Sequence, residues 1–98
     1  MLRVETQDSA NALIIKLEGR FTGDRAEDVR MLVTRCNTER GLVVDLTEVT
    51  FIDSEGEAAL SFFSRLGAKF VAEDAYMLDV CERLALPLAR NRKQKEAV

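Results

Sequence analysis

Apolar and polar positions first alternate with a period of two. Leu2, Val4 and Thr6 stand between polar neighbours, the pattern of a short half-buried strand. Gln7, Asp8, Ser9, Ala10 and Asn11 form a turn, after which Leu13, Ile15 and Leu17 mark one face of a stronger strand. A hairpin is the simplest link between the two. The segment 42–46 is almost continuously apolar (Leu42, Val43, Val44, Leu46), which suits a strand covered on both faces. Val49, Phe51 and Ile52 extend that material, and Lys69, Phe70, Val71 and Ala72 form the last clear strand.

Three intervening segments follow helical spacing. In the first, Ala26, Val29, Leu32, Val33 and Cys36 recur along one face, and the helix is predicted to end near Asn37, before Gly41. Asp24 stands three residues before Glu27, which resembles a capping box with Asp24 as the cap. The second runs from about residue 55 to 66 and buries Ala59, Phe62, Phe63 and Leu66, with Gly67 as its stop. The third covers roughly residues 75–85, with Met77, Leu78, Cys81, Leu84 and Ala85 inward and Pro87 limiting it. The order β-β-α-β-α-β-α predicts an α/β fold: a small mixed four-stranded sheet, mostly parallel, with an antiparallel edge strand and three helices.

Length and composition fit one domain over 1–89 followed by a tail over 90–98. The 98 residues are 47% apolar and 32% charged, enough for a modest core beneath a soluble surface. No stretch is long and apolar enough for a membrane span, and the first residues lack a signal-peptide pattern, so a cytoplasmic location is expected. Net charge is −3, which offers nothing to nucleic acid. In the tail, Arg90, Arg92, Lys93 and Lys95 against Glu96 give +3, leaving −6 on the preceding chain.

Candidate chemistry is narrowed by what is missing. The chain has no histidine, so Ser-His-Asp and Cys-His pairs and histidine-based zinc sites are impossible, and an enzyme is not expected. Cys36 and Cys81 have no metal-type spacing and fall on apolar helix faces, where cysteine acts as a small hydrophobe. No phosphate-binding lysine loop exists, and Gly19-x-x-x-Gly23 lacks the remaining elements of one. In a parallel sheet, partners gather beyond the carboxyl ends of the strands. The segments there are 19–24, 52–55 and 73–75, and that end as a whole is acidic: Asp24, Asp53, Glu55, Glu57, Glu73 and Asp74 oppose only Arg20 and Arg25. Clustered carboxylates suit a hard cation such as Mg²⁺, but solvated acids at helix starts are commoner, so neither metal nor cofactor is expected.

Residues 42–56 then resemble a known signature: an apolar strand, Asp45-Leu46-Thr47, and Phe51-Ile52-Asp53-Ser54-Glu55-Gly56. This is similar to STAS domains (sulphate transporter and anti-sigma-factor antagonist). Leu17-Glu18-Gly19-Arg20-Phe21 resembles the family's strand-Gly turn, and Gly67-Ala68-Lys69-Phe70-Val71 its late strand. The resemblance spans most of residues 12–86. It implies a non-enzymatic protein-binding module, with Ser54 as the residue a partner serine kinase or anti-sigma factor phosphorylates. Asp53, Glu55, Gly56, Thr22 and Arg20 are then the accompanying partner-binding positions. An accessory subunit of an ABC-type lipid transporter, or of another signalling complex, is the alternative, with Ser54 only a helix cap. Neither reading implies nucleic acid or membrane insertion, and the pattern leaves the oligomeric state open.

Three positions depart from the family's regulators, which commonly carry Asp at the Thr22 position, a small residue at Glu55 and an apolar one at Glu57. Phosphate on Ser54 is therefore expected to meet Asp53, Glu55 and Glu57. Each unit charge at about 4 Å costs on the order of 4 kcal/mol at a dielectric near 20, and less when solvated. Ser54-x-x-Glu57 also reads as a capping box, so Ser54→Ala is expected to cost roughly 1 kcal/mol. Asp45, polar within an apolar strand, is expected to be a locally satisfied group.

Overall fold

A computed structural model of the chain describes residues 1–36 and 39–89. The period-two segments form β1 (Leu2–Asp8), β2 (Leu13–Phe21), β3 (Leu42–Ile52) and β4 (Lys69–Val71). The helical segments form α1 (Gly23–Arg35), α2 (Ser54–Arg65) and α3 (Ala75–Arg83), so the element order is the one the pattern predicts. The four strands lie in the order β1-β2-β3-β4, antiparallel between β1 and β2 and parallel thereafter. The expected α/β mixed sheet with an antiparallel edge is therefore present. The predicted end of the first helix near Asn37 and the basic tail 90–98 lie outside the described residues.

Both parallel connections step in the same direction across the sheet. Right-handed crossovers then place their helices on one face, and the core forms there. Leu13, Ile15 and Leu17 of β2, Leu42, Val44 and Leu46 of β3, and Phe70 of β4 join Ala26, Val29 and Val33, Ala59, Leu60 and Phe63, and Met77, Val80 and Cys81 in one cluster. This corrects the expectation that residues 42–46 are covered on both faces, since Val43 and Asp45 are only half-buried. Two register shifts against β2 let Leu46, Val49 and Ile52 all reach the core from one strand. At the first shift, Asp45 accepts from the Thr47 amide at 3.0 Å and the Thr47 hydroxyl at 2.8 Å, the local satisfaction expected of it.

Two helices sit in a different phase from the one predicted. In α2, Leu60 is buried and Phe62 only half-buried, with Leu66 exposed just past the helix end; in α3, Val80 is buried while Leu78 is exposed, and Ala85 lies exposed beyond the helix. Both helices start beside a strand end, and the capping contacts there set their rotation. Beyond α3 the chain turns back through Ala85 at φ 56°, and Pro87 begins a parallel return along β4. The Phe70 amide donates to the Pro87 carbonyl at 2.9 Å, and the Ala89 amide donates to the Phe70 carbonyl at 2.7 Å. That return covers the β4 edge of the sheet.

Candidate functional site

The carboxyl ends of β2, β3 and β4 feed directly into α1, α2 and α3, so three helix starts with unsatisfied amides converge at one end of the sheet. Asp53 answers two of them. Its extended backbone (φ −105°, ψ −173°) makes it the N-cap of α2, and its Oδ1 accepts from the Gly56 amide at 2.9 Å. The same carboxylate accepts from the Gly23 amide, at 3.2 Å to Oδ2 and 3.4 Å to Oδ1, across thirty residues of sequence. One side chain therefore fixes the start of α2 and ties it to the start of α1.

This arrangement corrects the capping-box reading of Ser54 and Glu57. Ser54 is the first helical residue, where its side chain cannot reach an N3 amide, and the strand has already placed Asp53 at the cap. The Ser54 side chain is exposed, and its hydroxyl has no hydrogen-bond partner among the described residues. Glu57 does not reach back either. It makes a two-pronged pair with Arg83 of α3, Nη1 to Oε1 at 3.2 Å and Nη2 to Oε2 at 2.8 Å. The hydrogen bonds from Arg83 hold the Glu57 carboxyl below its ordinary pKa, against partial desolvation. A phosphate on Ser54 would thus meet an Asp53 already engaged by two amides and a Glu57 already neutralised by Arg83. Glu55, exposed beside Ser54, is the carboxylate left without such compensation.

Gly56 explains why the helix can begin here. A Cβ at that position would collide with the carbonyl oxygen of Phe21 and stand 2.5 Å from the Ile52 Cγ1. Only glycine lets the first turn of α2 lie against the end of β2. Thr22 is the N-cap of α1, with no side-chain capping bond, so its role there is carried by backbone: its carbonyl accepts from Arg25 at 3.0 Å and Ala26 at 3.3 Å. The expected cap Asp24 instead lies exposed in the first turn, where its charge favours the helix dipole. Asp74 caps α3 by accepting from the Met77 amide at 3.4 Å.

Two aromatic residues at this end, Tyr76 and Phe51, are not among the expected site residues. Tyr76 Oη accepts from the Ile52 amide at 3.1 Å and lies 3.3 Å from the Ile52 carbonyl, pinning the first turn of α3 to the end of β3. Phe51 is 40% exposed, and the Arg20 guanidinium stacks on its ring at 4.6 Å. A signal existed for the second: adjacent apolar residues such as Phe51 and Ile52 cannot both face the core of a period-two strand. Ser54 and Glu55 are thus exposed at the start of α2, and Arg20 with Phe51 on the paired ends of β2 and β3. Among the described residues, no group of three or more acidic or cysteine side chains is placed to hold a metal ion.

The model of the STAS domain matches residues 2–69. The chain belongs to the STAS domain family. Solved structures agree on the fold: the anti-sigma factor antagonist SpoIIAA in its unphosphorylated form aligns with TM-score 0.67 and 15% identity, over 99% of this chain and 94% of SpoIIAA. The protein Mglu aligns with TM-score 0.60 and 23% identity over 71% of this chain, which spans 19% of Mglu. The inward-facing murine anion transporter Slc26a9 aligns with TM-score 0.55 and 18% identity, over 85% of this chain and 17% of the transporter. No curated protein sequence matches the chain. The STAS fold thus occurs in stand-alone form and within larger chains. In this STAS domain no helix among the described residues is long and apolar enough to cross a membrane.

Proposed function

We propose that this STAS domain acts by binding rather than catalysis, docking a protein partner on the surface formed by Arg20, Thr22, Phe51 and residues 53–56, and that phosphorylation of Ser54 releases that partner. The observation that carries this reading is the division of labour between neighbours: Asp53 satisfies both helix starts, and Ser54 stands exposed with an unengaged hydroxyl. A serine in that position is available to a kinase without dismantling the fold. A dianionic phosphate added there brings charge and bulk into the middle of a fitted surface. The partner class consistent with the stand-alone SpoIIAA likeness is a serine kinase or anti-sigma factor.

The test is affinity capture from the source cells with wild type and Ser54→Asp, identifying bound proteins by mass spectrometry. A kinase or anti-sigma factor held by wild type and lost by Ser54→Asp supports the proposal. A transporter subunit held equally by both would instead make this a constitutive adaptor.

A further inference from the structure

The two edges of the sheet differ. The β4 edge is covered by residues 87–89, whereas β1 is an outer strand with no further strand beside it among the described residues. Its register with β2 is unbroken from Leu2 to Asp8. It contains no proline and no bulge, and Leu2, Val4 and Thr6 on its core-side face carry no charge; its charges, Arg3 and Glu5 on the open face and Asp8 at its end, are of both signs and do not bar pairing with a second copy.

The hydrogen-bond phase fixes which groups are free. The Arg20 amide donates to the Met1 carbonyl at 3.2 Å, and the Ser9 amide to the Ala12 carbonyl at 3.0 Å. By the alternation of an antiparallel ladder, Arg3, Glu5 and Gln7 turn their amides and carbonyls toward β2. Leu2, Val4 and Thr6 therefore present theirs outward. A second strand satisfies them only in a register that pairs even positions with even positions.

We propose that this edge is a self-association surface, on which β1 of a second copy pairs antiparallel about a two-fold axis at Val4. In that register Val4 faces Val4 of the second copy, Leu2 faces Thr6, and about six backbone hydrogen bonds close between the strands. Arg3 falls opposite Glu5, twice, at the closely spaced non-hydrogen-bonded positions. The neighbouring two-fold registers lack this match: one centred on Arg3 sets Arg3 against Arg3, and one centred on Glu5 sets Glu5 against Glu5. Within one copy Arg3 and Glu5 already sit on the same face, 3.2 Å apart, with side chains 70% and 50% exposed. Exchange of partners across the axis therefore needs no rearrangement of the strand. The result is a continuous sheet, isologous and closed. Because the two β1 strands run in opposite directions, the α2 starts of the two copies point to opposite ends and both docking surfaces stay open.

The test is sedimentation equilibrium of the full chain over a wide concentration range, with three variants. Wild type is expected to show a reversible monomer–dimer equilibrium. Val4→Pro removes an outward amide that β2 does not use, and edge strands accept proline; it is expected to be monomeric with its circular dichroism retained. Glu5→Arg sets arginine against arginine twice and is expected to raise the dimer dissociation constant about tenfold. The double exchange Arg3→Glu with Glu5→Arg restores both pairs and is expected to return the constant to near wild type. Wild type that stays monomeric at the highest attainable concentration overturns the proposal. So does a dimer that survives Val4→Pro, or a double exchange as weak as Glu5→Arg alone.

Discussion

Replacing Asp53 by alanine removes the acceptor for two helix-start amides at once, Gly56 of α2 and Gly23 of α1. Loss of a single N-cap costs about 0.5–2 kcal/mol, so Asp53→Ala is expected to lose about 1–3 kcal/mol, since the longer Gly23 contact adds less than a full cap. In a domain of this size that corresponds to a melting-point fall of roughly 4–8 °C for each kcal/mol. Ser54→Ala, which removes an exposed and unbonded hydroxyl, is expected to melt within about 0.5 kcal/mol of wild type. Thermal denaturation of the two variants side by side checks the assignment. Equal losses would return the cap to Ser54. The local spacing placed the cap one residue late, at Ser54, because the cap position depends on where β3 stops. That Asp53 also serves Gly23 is a tertiary fact, invisible to local spacing.

Between elements, the contact with a readable pH dependence is the Glu57–Arg83 pair joining α2 to α3. The folded Glu57 carboxyl has a lowered pKa, caused first by the hydrogen bonds from Arg83. A lowered folded value means the pair's stabilisation is present above the unfolded glutamate pKa, about 4.3, and disappears as pH falls through the folded value. Wild type should therefore melt above Glu57→Gln at neutral pH, with the gap holding to about pH 4.3 and closing below it. Melting curves across that range decide the matter, and a gap that widens in acid would contradict the pairing. The positions of α1, α2 and α3 in the chain were legible from helical spacing. The phases of α2 and α3 were not, because strand-end contacts such as Tyr76 to Ile52 rotate a helix without altering its apolar spacing.

For the whole molecule, a mostly parallel four-stranded sheet with an antiparallel edge followed from the alternation of strands and helices. The one-faced core followed only from the order and handedness together, since an apolar run such as 42–46 reads the same whether one face or two are covered. Legibility of the site was partial in the same way. Topology gathered the right loops at one end, and the STAS signature singled out Asp53, Ser54 and Gly56. The pairing of Glu57 with Arg83 and the exposure of Phe51 required the packed structure. With both Asp53 and Glu57 engaged, a phosphate on Ser54 meets less uncompensated negative charge than the bare sequence implies. The most direct measurement is a binding titration of the captured partner against wild type, Ser54→Ala and Ser54→Asp at matched folded fraction. Ser54→Ala is expected to bind like wild type and Ser54→Asp to lose at least about tenfold in affinity, about 1.4 kcal/mol. Equal affinity for all three proteins would contradict this expectation and leave Ser54 outside the docking surface.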